Sequence, residues 1–436
     1  MAAAKMGTSP HAIRMMGFDE AREIIVGAVH ALPAESVRLT EALGRVVAED
    51  VVAEGDMVPY SRSAMDGYAV RATDLAAAAA KHPVRLPVAG KILAEKGNAT
   101  LAPGTALAIT TGAPIPHGAD AVLPYEQIER SGDTIMVSGP VQAGNCIFPP
   151  AEDVRRGDLL VSRGEVLRPA TLALLAFVGR PQLRVYQRPR VGVVCTGSEL
   201  VDVGTTPGHG QIRNSNAYTL TALVAECGAE ARLCGTSPDD RSELRRLLES
   251  ARSGADMLVT TGGASVGERD LVKGVLTELG TEFRFRAVAV RPGKPIGFGL
   301  WDGLPVCVLP GNPAAAFVGF YEFVRPALLR LAGRRSIELP SLRATLRGHI
   351  KSKAARRYII LAQLALTPEG FEAIPLANQC SVLVRTSAEA NALILLPEGP
   401  ASFDSGDTVE VQVLDWDSAI GASGKITALS DTSARN

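Results

Sequence analysis

The chain has 436 residues, more than one hydrophobic core organises and enough for about three domains. Its 46% hydrophobic and 21% charged residues are an ordinary globular mix, and no apolar run approaches the ~20 residues of a membrane span. With 45 basic and 46 acidic residues the net charge is −1, so no global field draws it to nucleic acid or to an anionic membrane. The six cysteines (Cys146, Cys195, Cys227, Cys234, Cys307 and Cys380) form no CxxC pair, and the six histidines show no ligand spacing. Reduced thiols in a cytoplasmic protein fit that pattern better than a disulfide framework or a zinc site.

In chain order, residues 1–15 read as a flexible leader without a secretory signal, because Lys5 and Arg14 precede no long apolar stretch. Residues 18–31 (FDEAREIIVGAVHA) predict an amphipathic helix with Asp19 and Glu20 at its start. Residues 39–43 predict a second short helix, and the valines beyond it a strand. From Pro59 to about Phe148, short apolar runs such as VRLPVAGKI, TALAITTG and TIMVSG alternate with Pro and Gly, the pattern of a β-rich module. PATLALLAFVG then returns to helix, followed by a short strand. After residue 187 strands and helices alternate: RVGVVCTGSEL, a helix over 216–227, ARLCGTS, a helix over 239–253 capped by Ser237 or Asp239, ADMLVTTGG, LVKGVLTELG, IGFGL, PVCVLPG and a long helix over 313–331. That alternation predicts a largely parallel, doubly wound sheet. Beyond Gly333 the pattern is β again (LRATLRG, RYIILAQLAL, FEAIPL, ALILLPEG, DTVEVQVL), and from about Asp417 a Ser/Ala/Gly-rich tail reads as disordered.

Several motifs allow two readings. In SAMDGYAV, Asp66 makes a local Asx-type turn or serves as a functional carboxylate. In TTGAPIPHGADAVLPYE, prolines stiffen a plain loop, or Thr111, Gly112 and Glu126 line a cleft. CTGSEL puts Thr196 and Glu199 on the carboxyl side of the first predicted strand, where ligands bind in such sheets. There Glu199 is a metal ligand or an exposed acid. In IRNSNAYTL, Asn214 or Ser215 caps a helix. In PDD, Asp239 complements a helix dipole, worth ~0.3–1 kcal/mol, or faces a cation.

The richest stretch runs from Ala255 to Ala316: ADMLVTTGGASVGERD, VAVRPGKPIGFG and LPVCVLPGNPAAA. Three apolar runs each adjoin a Gly/Pro-rich loop. Glycines let the backbone approach a ligand, and free loop N–H groups bind anions. Gly262, Gly263, Ser265 and Val266 supply the first loop, with Glu268, Arg269 and Asp270 opening the next helix. Arg291 and Lys294 add positive charge in the second, and Pro310, Asn312 and Pro313 form the third. The spacing is neither that of a Walker A loop nor GxGxxG. The predicted ligand is phosphorylated or otherwise anionic, with a cation as a candidate companion.

SAMDGYAV, TTGAPIPHGADAVLPYE, AEDVRRGD, VGVVCTGSEL, TTGGASVGERD, RPGKP and LPGNPAAA occur in the order seen in the MoeA / gephyrin E-domain family, the molybdopterin molybdenumtransferases, which the chain resembles over roughly residues 15–416. The resemblance implies an α/β multidomain protein. It would have a discontinuous mixed domain (16–55 and 149–186), a β-rich module (56–148), a three-layer αβα molybdopterin-binding-like domain (187–334) and a C-terminal β-barrel (335–416), with a flexible tail over 417–436. It implies a cytoplasmic homodimer that inserts molybdate into adenylylated molybdopterin, releasing AMP, with Mg²⁺ or a similar divalent cation assisting. Molybdopterin adenylyltransferase and molybdoenzymes are the implied protein partners.

Carried over by motif, the implied functional positions are Asp66, Thr111, Asp153, Glu199, Asp239, Asp270, Lys294, Pro310 and Pro313, with Ser381 and Arg356 or Arg357 in the C-terminal domain. Four positions depart from the family pattern: Arg291 stands for Lys, Ala151 for Gly, Cys380 for Gly and Leu361 for Arg. The chemistry explains the residue types. Polyanions need loop N–H groups, cations and hydroxyls, and cleaving a phosphoanhydride needs its charge spread, which a divalent cation does well. Glu199, Asp239 and Asp270 offer the oxygen ligands a hard cation prefers. Two other classes stand beside this reading: a gephyrin-like scaffold, and a CinA-like nucleotide hydrolase sharing the α/β domain but lacking a counterpart of the AMDGYA module.

Overall fold

Strand Ala34–Arg38 pairs antiparallel with Gln182–Tyr186, and Val51–Val52 with Leu159–Val161, so two stretches over a hundred residues apart close one small domain. Ala42, Val47, Val51, Val161, Leu167, Leu175, Leu183 and Val185 fill its core. The computed structural model describes residues 15–93, 99–263, 270–353 and 355–421. Between the two halves lies the β-rich module. Its six-stranded mixed sheet runs Ala121–Pro124, Gly67–Val70, Ala106–Ile109, Val84–Ile92, Thr134–Val137, Glu129–Ser131.

The third domain is a six-stranded sheet in the order Glu230–Ser237, Arg190–Thr196, Met257–Thr261, Leu304–Leu309, Gly297–Trp301, Thr281–Phe285. The first four strands are parallel. Alternate residues face opposite layers, as the period of two requires. Val191, Val193, Cys195, Met257, Val259, Cys307 and Leu309 pack with helix Ser215–Glu226 and the helices after Pro313. Val194, Leu258, Val306 and Val308 pack with helices Arg241–Arg252 and Leu271–Glu278. Sheet order reverses between Arg190–Thr196 and Met257–Thr261, which opens a crevice at their carboxyl ends. Gly297–Trp301 runs antiparallel to Leu304–Leu309, with Gly297 opposite Val308. Its beginning therefore lies at the carboxyl edge, and so does the RPGKP loop before it.

The structure differs from the sequence reading in four places. The tail read as disordered from Asp417 begins in a helix, Trp416–Gly421, because Ala419 is buried in the barrel core. Helix Phe18–Gly27 is shorter than expected, and Phe18, Ala21 and Ile25 enter the core of the α/β domain rather than that of the discontinuous domain. Its Phe18 ring meets Phe323 at 5.4 Å. The helix over 241–252 is capped by Asp240, which accepts the N–H groups of Ser242 and Glu243, and not by Ser237 or Asp239. The long C-terminal helix of the domain carries a π turn, Phe320–Val324, between Pro313–Gly319 and Arg325–Leu331. Pro326 has no N–H to give to the preceding turn, which accounts for the irregularity.

The last domain closes a five-stranded barrel. Arg357–Thr367, Gly370–Pro375, Ser341–Leu346, Thr408–Val413 and Ala392–Leu395 pair in sequence, and the last returns to the first. Closure removes the sheet edge. A two-residue strand, Val290–Arg291, joins this barrel in parallel, pairing Val290 with Arg357 and Arg291 with Tyr358. Among the described residues no helix is long and apolar enough to cross a membrane.

Candidate functional site

A cavity of about 1520 Å³ lies between the α/β domain and the barrel. Three strand-end loops form one wall: Thr196–Gly197, Thr261–Gly263 and Pro310–Pro313. They are packed backbone to backbone. Gly262 sits at φ +91°, and a Cβ there would lie 1.9 Å from the Thr196 carbonyl oxygen. A Cβ on Gly311 would lie 3.2 Å from the Gly262 Cα. No other residue fits Gly262. Asn216, buried in the first turn of its helix, fastens two of these loops. Its amide donates to Thr261 Oγ1 at 3.0 Å and to the Gly311 carbonyl at 2.8 Å. Thr261 in turn donates to the Pro310 carbonyl at 2.8 Å. Asn214 takes the cap, accepting the Ala217 N–H at 3.1 Å.

Glu199 and Asp239 mark one end of the cavity. Both are organised by the Gly197–Ser198 turn. The Ser198 hydroxyl accepts the Asp239 N–H at 2.9 Å. Glu199 folds back over Gly197, where an added Cβ would lie 2.7 Å from its carboxylate. Because Asp240 caps the helix, the Asp239 carboxylate is not spent there.

Arg291, Lys294 and Pro295 supply the basic side. The Arg291 guanidinium lies 5.2 Å over the Tyr358 ring and approaches its hydroxyl at 3.3 Å. That hydrogen bond holds the Tyr358 phenol below its usual pKa. The Lys294 side chain has no hydrogen bond or ion pair to another side chain among the described residues. From the barrel, Arg347, His349, Lys351, Tyr358, Cys380 and Ser381 face the same space. Asn312 Nδ2 donates to Ser381 Oγ at 3.1 Å, and the Ser381 carbonyl accepts the Ala314 N–H at 3.0 Å. Asn312 therefore links two walls instead of capping its helix.

Asp270 caps helix Leu271–Glu278 from just behind the wall. Its Oδ1 accepts the Lys273 N–H at 3.1 Å and its Oδ2 accepts Lys273 Nζ at 2.7 Å. Glu199, Asp239 and Asp270 do not form a three-carboxylate metal cluster among the described residues. Glu199 and Asp239 are exposed at one end of the cavity, and Asp270 is paired with the Lys273 ammonium. Ser265, with Val266, Glu268 and Arg269, lies outside the described residues.

The β-rich module keeps its own constellation. Asp66 Oδ1 accepts the Thr111 N–H at 2.7 Å and the Thr111 hydroxyl at 3.2 Å. The local Asx reading of Asp66 thus gives way to a bond spanning two strands. Gly112, at φ +80°, donates its N–H to the Ser63 carbonyl at 2.8 Å. Glu126 sits in the short helix Tyr125–Gln127, and Asp153 is exposed. Ala151 holds φ +52°. None of Asp66, Thr111, Gly112, Glu126 or Asp153 lines the cavity of its own chain, and neither does Arg356. Arg357 is turned to the N-terminal helix, donating to Asp19 at 2.8 Å. Sequence reasoning missed Asn216 and Lys273. The polar start of a helix beside TTGG, and the i, i+3 spacing of Asp270 and Lys273, were the available signals.

Comparison with known proteins covers nearly the whole chain. Family models described as MoeA N-terminal region (domain I and II), probable molybdopterin binding domain and MoeA C-terminal region (domain IV) match residues 16–179, 192–330 and 343–414. A Staphylococcus aureus protein named molybdopterin molybdenumtransferase is 33% identical over 401 residues, covering 92% of this chain and 96% of its own. A Mycobacterium tuberculosis protein named molybdopterin molybdenumtransferase 2 is 35% identical over 411 residues, covering 92% and 100%. The crystal structure of the molybdopterin biosynthesis MoeA protein from Pyrococcus horikoshii superposes with a TM-score of 0.81 at 30% identity, covering 92% of this chain and 100% of that one.

Proposed function

Because the chain belongs to the MoeA family of molybdopterin molybdenumtransferases, we infer that it is the molybdenum-inserting enzyme of molybdenum cofactor biosynthesis. Molybdate and adenylylated molybdopterin are its substrates, and molybdenum cofactor and AMP its products. The observation that carries this reading is the cavity at the sheet's switch point, lined by glycine loops, basic side chains and barrel hydroxyls. The scaffold and nucleotide-hydrolase alternatives gain no support. The N- and C-terminal family models match regions outside the α/β domain, and the cavity retains Glu199 and Asp239.

In this reading Lys294 and Arg291 bind the anionic groups, with Thr196, Gly262, Gly263, Pro310, Asn312, Pro313 and Ser381 shaping the bed. The barrel wall brings the molybdate oxygens to Ser381. Water forms a new P–O bond to one phosphorus as the anhydride bond joining the pterin phosphate to AMP breaks, giving two phosphate monoesters and a proton. The negative charge developing on the departing phosphate is met by the donors lining the cavity. Glu199 and Asp239 are oxygen donors at one end of the cavity, a set that suits a hydrated Mg²⁺ carrying one or two carboxylates. When bound, that ion would offset phosphate charge. Asp270, with both oxygens engaged by Lys273, acts from outside that set.

The cavity lacks the Asp66–Thr111 pair of its own chain. We therefore assign the active unit as a homodimer in which one protomer's β-rich module, with Asp66, Thr111, Gly112, Glu126 and Asp153, completes its partner's cavity. Arg356 directly precedes the barrel strand Arg357–Thr367. An adenylyltransferase supplying the substrate and molybdoenzymes accepting the product are the partners this activity implies. The test is direct: the purified chain, given adenylylated molybdopterin and Mg²⁺, releases AMP only when molybdate is added. AMP release independent of molybdate, or none, overturns the reading.

A further inference from the structure

Lys273 is a lysine in a place that does not favour one. Its side chain is 2% exposed, on a helix whose Val272, Val275 and Leu276 are core residues. Burying a charged ammonium costs several kcal/mol, and a well-packed apolar residue would serve a core at least as well. Burial accordingly pulls the Lys273 pKa down, while Asp270 opposes that pull. Stability alone therefore explains the residue poorly.

Its contacts explain it better. Nζ donates to Asp270 Oδ2 at 2.7 Å and to the Pro295 carbonyl at 2.8 Å. Pro295 ends the RPGKP loop, one residue after Lys294. Gly297 makes the passage possible, since a Cβ there would lie 2.7 Å from Lys273 Cε. One buried ammonium thus joins the acid at the head of the helix to the backbone of the basic loop. We propose that Lys273 is a positioning residue for molybdate insertion: anchored on Asp270, it fixes the Arg291–Pro295 loop against the helix Leu271–Glu278, so that Arg291 and Lys294 meet the bound anions in one geometry. The proposal rests on the molybdate-insertion reading above. It deepens that reading by assigning a role to a residue that does not itself touch substrate.

The test uses the full chain with Lys273→Met, which keeps the stem and removes the charge, and Lys273→Gln, which keeps a donor. Asp270→Asn and the Lys273→Met/Asp270→Asn double variant complete the set. Turnover and titration of adenylylated molybdopterin are read separately, alongside the thermal midpoint. A sub-ångström to ångström misplacement of reacting groups costs on the order of 100-fold in rate. Lys273→Met is therefore expected to lower kcat by about 100-fold while the dissociation constant stays within about threefold. Lys273→Gln should recover part of kcat. The double variant should be no slower than Asp270→Asn, because the two residues act as one unit. Unchanged kcat in Lys273→Met overturns the proposal. So does a parallel loss of kcat, binding and thermal midpoint in both Lys273 variants, which would make the residue merely structural. If the unaltered chain shows no molybdate-dependent turnover, the functional reading itself fails and takes the proposal with it.

Discussion

Asn312 and Ser381 meet across a domain boundary, Nδ2 to Oγ at 3.1 Å, and tie the strand-end loop of the α/β sheet to the barrel. The bond leaves the Ser381 hydroxyl proton free to point into the cavity while its oxygen is held. A hydroxyl fixed in this way is suited to donate to an oxyanion.

Ser381→Ala is expected to weaken molybdate binding about tenfold, the loss of one charge-assisted hydrogen bond. The thermal midpoint should move by no more than about 2 °C, because a partly exposed site is changed. Isothermal titration with molybdate checks the first figure and calorimetric melting the second. Unchanged molybdate affinity removes Ser381 from the binding set.

Lys294→Ala is expected to weaken binding of adenylylated molybdopterin or molybdate by roughly 1.5–3 kcal/mol. Lys294→Arg should recover little of it, since a planar fork replaces a compact ammonium. The affinity of the unaltered chain should fall as salt is raised. Titrating AMP, molybdate and the adenylylated pterin one at a time shows which ligand the lysine serves. Equal affinities for all three would transfer the anion site to the Ser381 wall.

Removal of divalent cations should abolish AMP release, with Mg²⁺ restoring it. Glu199→Gln and Asp239→Asn should each raise the Mg²⁺ needed for half-maximal rate by about tenfold or more, as loss of a carboxylate ligand does. Both side chains sit on the cavity rim, so folding should change by less than about 1 kcal/mol. Full turnover after exhaustive chelation would dispose of the cation.

Active sites shared across a dimer can be tested by mixing. Asp66→Asn alone and Asp239→Asn alone should both be nearly inactive. Reassorted subunits should regain about a quarter of the unaltered rate, because half of the dimers are mixed and each then has one intact site of two. No regain after verified subunit exchange would place both acids in separate functions.

Glu322 sits in the π turn with 1% of its side chain exposed, facing Arg22 at 3.6 Å. Burial outweighs Arg22 and pushes its pKa up to about 7, with Glu338 adding to the rise and Gln412 and Arg357 opposing it. A carboxyl raised on folding binds its proton more tightly in the native state. Its contribution to stability is therefore full below the unfolded value near pH 4.5 and is lost as pH rises through about 7. The unaltered chain should lose on the order of 1–3 kcal/mol between pH 5 and pH 8 relative to Glu322→Gln. Denaturant melts of both proteins across that range check the sign and the size. Parallel pH curves would show that Glu322 is ionised throughout.

Much of the site could be read in the sequence because loop chemistry is local. TTGG, RPGKP and LPGNP announce their glycine turns and charges without any knowledge of their neighbours, and all three loops reach one cavity. Asp239 was also legible, although its neighbour Asp240 turned out to be the cap. Lys273 was not, because in LVKGVL a lysine reads as the polar position of an amphipathic helix, and lysines are seldom buried. Asn216 was hidden behind the stronger capping signal of Asn214. The docking of Phe18 against Phe323 depends on residues three hundred positions apart, which no local period encodes. The same holds for the pairing of Val290–Arg291 with the barrel.

That two-residue pairing has a mechanical consequence. The basic loop is stitched to the barrel by Arg291 opposite Tyr358 and to the helix of Asp270 through Pro295 and Lys273. The Glu199 and Asp239 turns adjoin strands at the other side of the sheet order. If the barrel swings, the seam at Arg291 acts as the pin and the acid end as the mouth. Crosslinking the seam should leave turnover intact, whereas bridging the mouth should stop it.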